Sequence, residues 1–90
     1  MVLRISSVAE VGSLVTLKVE GTLAGDWVPL LEAECLCQLD ARKLVELDFA
    51  GVGFVDREGV AMVRSLVARG VQVVGESALV KALLRQGDAP

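Results

Sequence analysis

The sequence predicts a single α/β domain over residues 1–90, built on one open mixed sheet of about four strands with about three helices. Leu14 to Glu20 alternates apolar and polar residues, which is typical of a strand with one buried face. The same alternation recurs at Val45 to Phe49, where it precedes a helical pattern, and the short apolar run Val71 to Val74 follows that helix. Two strands joined by a crossover helix are expected to be parallel.

The N-terminal part of the chain predicts a β-hairpin. Val2 to Val8 is the first strand, and Glu10 to Ser13 supplies a turn that contains glycine. The second strand, Leu14 to Glu20, is expected to end at Gly21. Its buried face carries Val15, Leu17 and Val19.

A first helix is predicted to follow, with Asp26 as its N-cap and Pro29 in its first turn. Apolar residues then recur at helical spacing and form the stripe that faces the sheet: Val28, Leu31, Cys35 and Leu39. Trp27 stands at the start of this helix. It either packs over the helix end or belongs to a partner surface, where tryptophan is a common anchor.

The central segment, Val45 to Gly59, is expected to hold the functional site. Ala50 to Gly53 contains two glycines, and we expect it to break the strand that ends at Phe49. Asp56 then stands where a second helix begins, as an N-cap that accepts from a backbone N–H two or three residues on. In an open α/β sheet, sites form at this edge, where strands end and helices begin.

The rest of the chain predicts one more strand and one more helix. The second helix is expected to end at Gly70, the C′ position, with Val60, Val63, Leu66 and Val67 on its inner face. Ser77 is predicted to cap a last helix that stops at Gly87, with residues 87–90 as a frayed tail. Its apolar residues are Leu79, Val80, Leu83 and Leu84.

The composition argues against several classes of function. The net charge is −3 and no basic run is present, which disfavours nucleic-acid binding. The chain has no histidine, which removes Ser-His and Cys-His nucleophiles. Cys35 and Cys37 point about 200° apart around a helix and suit neither a shared metal nor a disulfide. We therefore expect no metal, no cofactor and no enzymatic activity.

The sequence predicts a cytoplasmic protein without membrane insertion. Arg4 and Ser6 interrupt the start of the chain, which does not resemble a signal peptide. No apolar run approaches the ~20 residues that a helical membrane span requires. Two cysteines are too few for a disulfide framework, which favours a reducing compartment.

The segment Leu47 to Gly59 resembles the central signature of the STAS domains, the bacterial anti-sigma-factor antagonists and their relatives. That signature reads roughly Leu-Asp-Leu, then Val-x-Phe, a hydrophobic residue and Asp-Ser-Ser/Thr-Gly, followed by an apolar helix. The matching positions here are Leu47-Asp48-Phe49, Val52, Phe54-Val55-Asp56 and Gly59. In the family, a partner kinase phosphorylates the serine after that Asp. Here the phosphoacceptor position holds Arg57, and Glu58 follows it.

The resemblance implies a STAS-like fold and a non-enzymatic protein–protein interaction module for signal transduction by partner switching. The implied partner is a kinase-like anti-sigma factor. Because Arg57 has no hydroxyl, phosphorylation at this position would not regulate the module. The expected partner surface consists of Asp26, Trp27, Gly53, Phe54, Asp56, Arg57, Glu58 and Gly59.

Two other functions stay open at this point. STAS-like domains also serve as accessory subunits of ATP-driven lipid or toluene-type transport complexes, where the partner is the transporter ATPase. The second open function is a homodimeric scaffold. A hydrophobic content of 53% in so small a domain predicts exposed apolar surface, which a second copy of the chain could cover. For Arg57 and Glu58, an ordinary pair of solvated surface charges also remains open.

Overall fold

A computed structural model of the protein describes residues 3–86; Val2 and the predicted tail at residues 87–90 lie outside the described residues. The chain forms β1 (Leu3–Val11), β2 (Leu14–Leu23), α1 (Trp27–Asp40), β3 (Leu44–Val55), α2 (Arg57–Ala68), β4 (Gln72–Val74) and α3 (Ala78–Gln86). The predicted order of elements, a hairpin followed by β-α-β and a last helix, is confirmed.

The four strands form one sheet in the order β1-β2-β3-β4. β1 and β2 pair antiparallel, whereas β3 is parallel to both of its neighbours. Leu47 of β3 is paired with Leu17 of β2 on one side and with Val73 of β4 on the other. The sheet is therefore open and mixed, as the sequence predicts.

The hydrophobic core lies between one face of the sheet and the helices. The period-two alternation places the inner residues of β2 and β3 in this core, where each is at most 2% exposed. They are Val15, Leu17, Val19, Val45, Leu47 and Phe49. The helices cover them with Leu31, Cys35, Met62, Val63, Leu66 and Val80. The opposite face of these strands carries half-buried polar residues: Thr16, Lys18, Glu46 and Asp48.

The predicted break in the central strand is wrong. Ala50 to Gly53 does not end the strand at Phe49, because β3 continues alongside β2 as far as Val55. The glycines instead accompany two β-bulges, in which one strand has an extra residue and bends while pairing continues. Gly21 likewise does not end β2, which extends to the buried Leu23 because β3 offers it backbone partners along its length.

The two bulges change which side chains of β3 are buried. Lys18 pairs with Asp48 and Glu20 with Gly51, so β3 takes three residue steps where β2 takes two. A second extra residue, Gly53, follows further along the strand. Beyond the regular part of β3, buried positions therefore occur every third residue instead of every second: Phe49, Val52 and Val55.

The end of α2 and the start of α3 follow the predicted capping signals, whereas the inner face of α2 differs from the prediction in one residue. Gly70 has a φ of +102°, and its N–H donates to Val67 O while Val71 N–H donates to Leu66 O, which is a Schellman motif. Ser77 Oγ accepts from Val80 N–H at 3.2 Å at the start of α3. Val67, predicted to face the core, is 50% exposed, and Met62 takes its place there.

Candidate functional site

The candidate site lies at the edge of the sheet where the parallel strands β2 and β3 end side by side. Asp56 N–H donates to Leu23 O at 3.0 Å, so β2 and β3 end at the same level of the sheet. α1 begins at Trp27 after β2, and α2 begins at Arg57 after β3. The topology therefore brings together two segments that lie about thirty positions apart in sequence.

The carboxylate of Asp56 holds these two segments together. Its Oδ1 accepts from Gly59 N–H at 2.7 Å, which is the predicted N-cap of α2. Its Oδ2 accepts from Gly25 N–H at 3.1 Å, in the loop that precedes α1. Both oxygens of one half-buried side chain are thus engaged, and they fix the start of α2 relative to the β2–α1 loop.

Gly59 allows α2 to start close against the strand ends. A Cβ atom at this position would lie 2.7 Å from Val55 Cγ1 and 3.1 Å from Leu23 O. No side chain fits there without displacing its neighbours, and Gly59 is itself buried. Its role at the site is therefore to permit close packing, and the expectation that it contacts a partner directly is not supported by its burial.

The side chains around Asp56 differ in their exposure. Trp27 is half-buried and packs against the core, so its outer part alone is available at the surface. Asp26 is exposed and occupies the N-cap position of α1, as predicted, but its side chain makes no capping hydrogen bond. The exposed part of this edge, which we call the strand-end surface, consists of Asp26, Gly53, Phe54, Arg57 and Glu58.

A groove of about 530 Å³ continues the strand-end surface between α2 and α3. Phe54, which is 45% exposed, lines it together with Arg57 and Leu83. Ala61 and Arg64 also line it, and sequence reasoning missed both. The signal was present in the spacing, because positions four and seven residues after Arg57 lie on the same side of a helix.

Within residues 3–86 no group of three or more Cys, Asp or Glu side chains is arranged to hold a metal ion. Cys35 is buried and Cys37 exposed, on different faces of α1 as predicted. In the same part of the chain, no helix has the length and apolar character needed to cross a bilayer.

Solved structures with a similar fold include the anti-sigma-factor antagonist SpoIIAA in its unphosphorylated form. That match has a TM-score of 0.67 and 15% sequence identity, and covers 93% of this chain and 82% of SpoIIAA. A crystal structure of Mglu matches with a TM-score of 0.64 and 20% identity over 84% of this chain, which corresponds to 20% of that longer protein. No protein-family model and no curated protein matches the sequence.

The similarity to SpoIIAA extends over nearly the whole chain and agrees with the observed order of hairpin, crossover helix and parallel strands. The protein therefore has the STAS-like α/β fold of an anti-sigma-factor antagonist, as its central motif predicted.

Proposed function

We propose that this protein is a non-enzymatic interaction module that binds a protein partner through the strand-end surface. The observation that carries the proposal is the double hydrogen bond of Asp56 to Gly25 and Gly59. It ties the β2–α1 loop to the start of α2, so that their exposed side chains form one surface before a partner arrives. Fixing a surface in advance lowers the entropy lost on binding.

Arg57 is the residue of this surface whose presence folding explains least. It occupies the first position of α2, where the partial positive charge of the helix dipole disfavours a cation. Its side chain is exposed. An arginine at such a position is better explained by binding, because its guanidinium can form two parallel hydrogen bonds with a carboxylate of a partner.

The proposed interaction is not switched by phosphorylation at this position. Because the central motif resembles that of STAS domains, we take Arg57 to correspond to the serine that is phosphorylated in those proteins, and a guanidinium cannot accept a phosphoryl group as a hydroxyl does. The charge at this point of the surface is therefore fixed. In this role the protein would act in the bacterial cytoplasm, with a kinase-like anti-sigma factor as its partner.

The test is a pull-down from a lysate of the source cells with tagged protein, read by mass spectrometry. Arg57→Glu is compared with Arg69→Glu, which makes the same charge change at the other end of α2, outside the strand-end surface. We expect recovery of an anti-sigma factor that Arg57→Glu weakens and Arg69→Glu leaves intact. Equal recovery by both variants would contradict the assigned surface.

Two further outcomes of this experiment are informative. If the recovered protein is a transporter ATPase and Arg57→Glu still weakens it, the surface stands and the accessory-subunit function replaces the proposed one. If a kinase-like anti-sigma factor is recovered, we expect it to phosphorylate an Arg57→Ser variant at residue 57 and to leave the wild type unmodified there. Modification of neither protein would show that Arg57 is not what prevents phosphorylation.

A further inference from the structure

Charge is unevenly distributed between the two ends of the helix layer. Residues 24–41, which include α1, contain four acidic residues and no basic one. Residues 57–86, which include α2 and α3, contain five basic residues and two acidic ones. α1 packs against α2 and α2 against α3, so the acidic residues lie at the α1 end of the helix layer and the basic residues lie on α2 and α3.

The outer face of α1 is unusually apolar for an exposed helix surface. Leu30 is 53% exposed, and the exposed residues three, four and seven positions later are Ala33, Glu34 and Cys37. The inner face of α1 is apolar as well. A helix that is apolar on both faces is usually covered on both, which suggests that something packs over Leu30.

The basic end of the molecule contains a matching groove. It has a volume of about 760 Å³ and lies between α2, β4 and α3. Its apolar lining includes Val67, which is 50% exposed, and Leu84. Lys81 and Arg85, both exposed, line the same groove together with Arg64 and the acidic Glu76, so basic residues outnumber acidic ones there. We call it the β4-side groove.

We propose that α1 of one molecule docks into the β4-side groove of a second copy of this chain. Leu30 would pack against Val67 and Leu84, while Glu34 would approach Lys81 and Arg85. Charge complementarity decides the occupant. Pairing α1 with α1 would bring acids together, and pairing groove with groove would bring bases together, whereas α1 in the groove joins opposite charges.

This contact joins two different surfaces, so each bound molecule still has one free helix and one free groove. Such head-to-tail contacts form rings or open chains instead of closed two-fold dimers. α1 has 14 residues and is about 21 Å long, so the contact is expected to bury less than about 1,200 Å². The association should therefore be weak, reversible and sensitive to salt.

The experiment measures molar mass by sedimentation equilibrium, up to about 1 mM protein, at low ionic strength and at about 1 M salt, where screening reduces the Debye length to about 3 Å. Leu30→Gln removes the apolar contact of α1 without adding a charge. Lys81→Glu with Arg85→Glu reverses the charge of the groove. All three positions are exposed, and circular dichroism checks that both variants remain folded.

We expect wild-type mass to rise with concentration in low salt, and each variant to weaken association by at least about tenfold. The informative sample is a mixture of the two variants, since one retains the groove and the other retains α1. It should form a one-to-one pair and nothing larger. A wild type that stays monomeric in low salt would overturn the proposal, and so would a mixture that does not pair although the wild type associates.

This test is independent of the strand-end surface, because none of the three substituted residues belongs to it. Loss of self-association would leave the proposed partner binding through Arg57 untouched. Conversely, failure of the Arg57 variants to affect partner recovery would not change the expected masses.

Discussion

The carboxylate of Asp56 and the backbone N–H of Gly25 lie 3.1 Å apart, although 31 positions separate the two residues in sequence. The same carboxylate caps α2 through Gly59. One side chain thus stabilises a helix and arranges the loop beside it, and suitable substitutions should separate the two effects.

Replacing Asp56 by alanine is expected to lower the free energy of unfolding by about 1–2 kcal/mol, because the cap of α2 is lost. The free energy of unfolding of Asp56→Asn should lie between those of the wild type and of Asp56→Ala. Asparagine caps a helix about as well, but its amide NH₂ would face the Gly25 N–H in place of an oxygen. Urea unfolding monitored by circular dichroism measures all three.

Asp26→Ala is the matched control for this series. Asp26 holds the N-cap position of α1 but makes no capping hydrogen bond, so its loss should change stability by less than about 0.5 kcal/mol. An equal loss of stability in Asp26→Ala and Asp56→Ala would contradict the assignment of the cap and loop contacts to Asp56.

Gly59→Ala is expected to destabilise the protein by about 1–3 kcal/mol, because the added methyl group would overlap Val55 and press on Leu23 O. The sign of the change in stability shows whether the position is crowded. In an unobstructed helix position, the same change would stabilise by up to about 1 kcal/mol through helix propensity. Thermal unfolding provides the measurement.

Gly53→Ala serves as the comparison for Gly59. A Cβ at Gly53 would have no atom within 4 Å, and the residue is exposed. We expect the free energy of unfolding of Gly53→Ala to stay within about 0.5 kcal/mol of the wild-type value. A large loss at Gly53 combined with a gain at Gly59 would show that α2 does not start where the structure places it.

Arg57→Glu should raise the free energy of unfolding by about 0.3–1 kcal/mol, because it replaces a cation by an anion at the positive end of α2. Arg69→Glu makes the same substitution at the C-cap and should lower stability by a similar amount. The two variants are to be compared by urea unfolding at low salt. Changes of the same sign in both would rule out an effect of the helix dipole.

The pKa of the Cys35 thiol is raised to about 12. Burial is the largest cause, and the negative charges of Glu34 and Glu32 add to it. In the unfolded chain a cysteine thiol has a pKa of about 8.5. Between these values the unfolded chain loses a proton that the folded protein keeps, so the stability present below about pH 8.5 should fall as the pH rises towards 12.

Two variants isolate the contribution of Cys35 from those of other groups that titrate at alkaline pH. Cys35→Ala should flatten the decline in stability between about pH 9 and 11, whereas Cys37→Ala, at an exposed position, should retain it. At neutral pH an aromatic disulfide reagent should react with Cys37 in the native protein and with Cys35 after unfolding. Rapid reaction of both thiols in native protein would contradict the burial of Cys35.

The alternation of apolar and polar residues was enough to predict the sheet and its inner face, because burial of one face requires it. The N-cap at Asp56 was predictable for a different reason, since its Gly59 partner lies three residues away. The bond to Gly25 was not predictable from local pattern, because it depends on two parallel strands ending at the same level.

One prediction was wrong and another was right only in its position, for reasons of backbone pairing and local conformation. The glycines of Ala50 to Gly53 predict an end of β3, but glycine also permits bulges, and the pairing with β2 favours bulges here. Asp26 was predicted to cap α1, yet its backbone is already helical, with φ −66° and ψ −16°, while a capping residue is usually extended. Asp56, with ψ 178°, has that extended conformation.

The two bulges of β3 also determine which changes in chain length this segment can tolerate. Each bulge adds one residue to β3 and leaves the pairs beyond it in place, so Val55 lies opposite Leu23 and both side chains are buried. Deleting the extra residue of one bulge would remove that bulge and keep Val55 opposite Leu23, because paired residues of neighbouring strands point to the same face of the sheet. The segment should therefore tolerate the loss of one or both extra residues without turning Val55 away from the core.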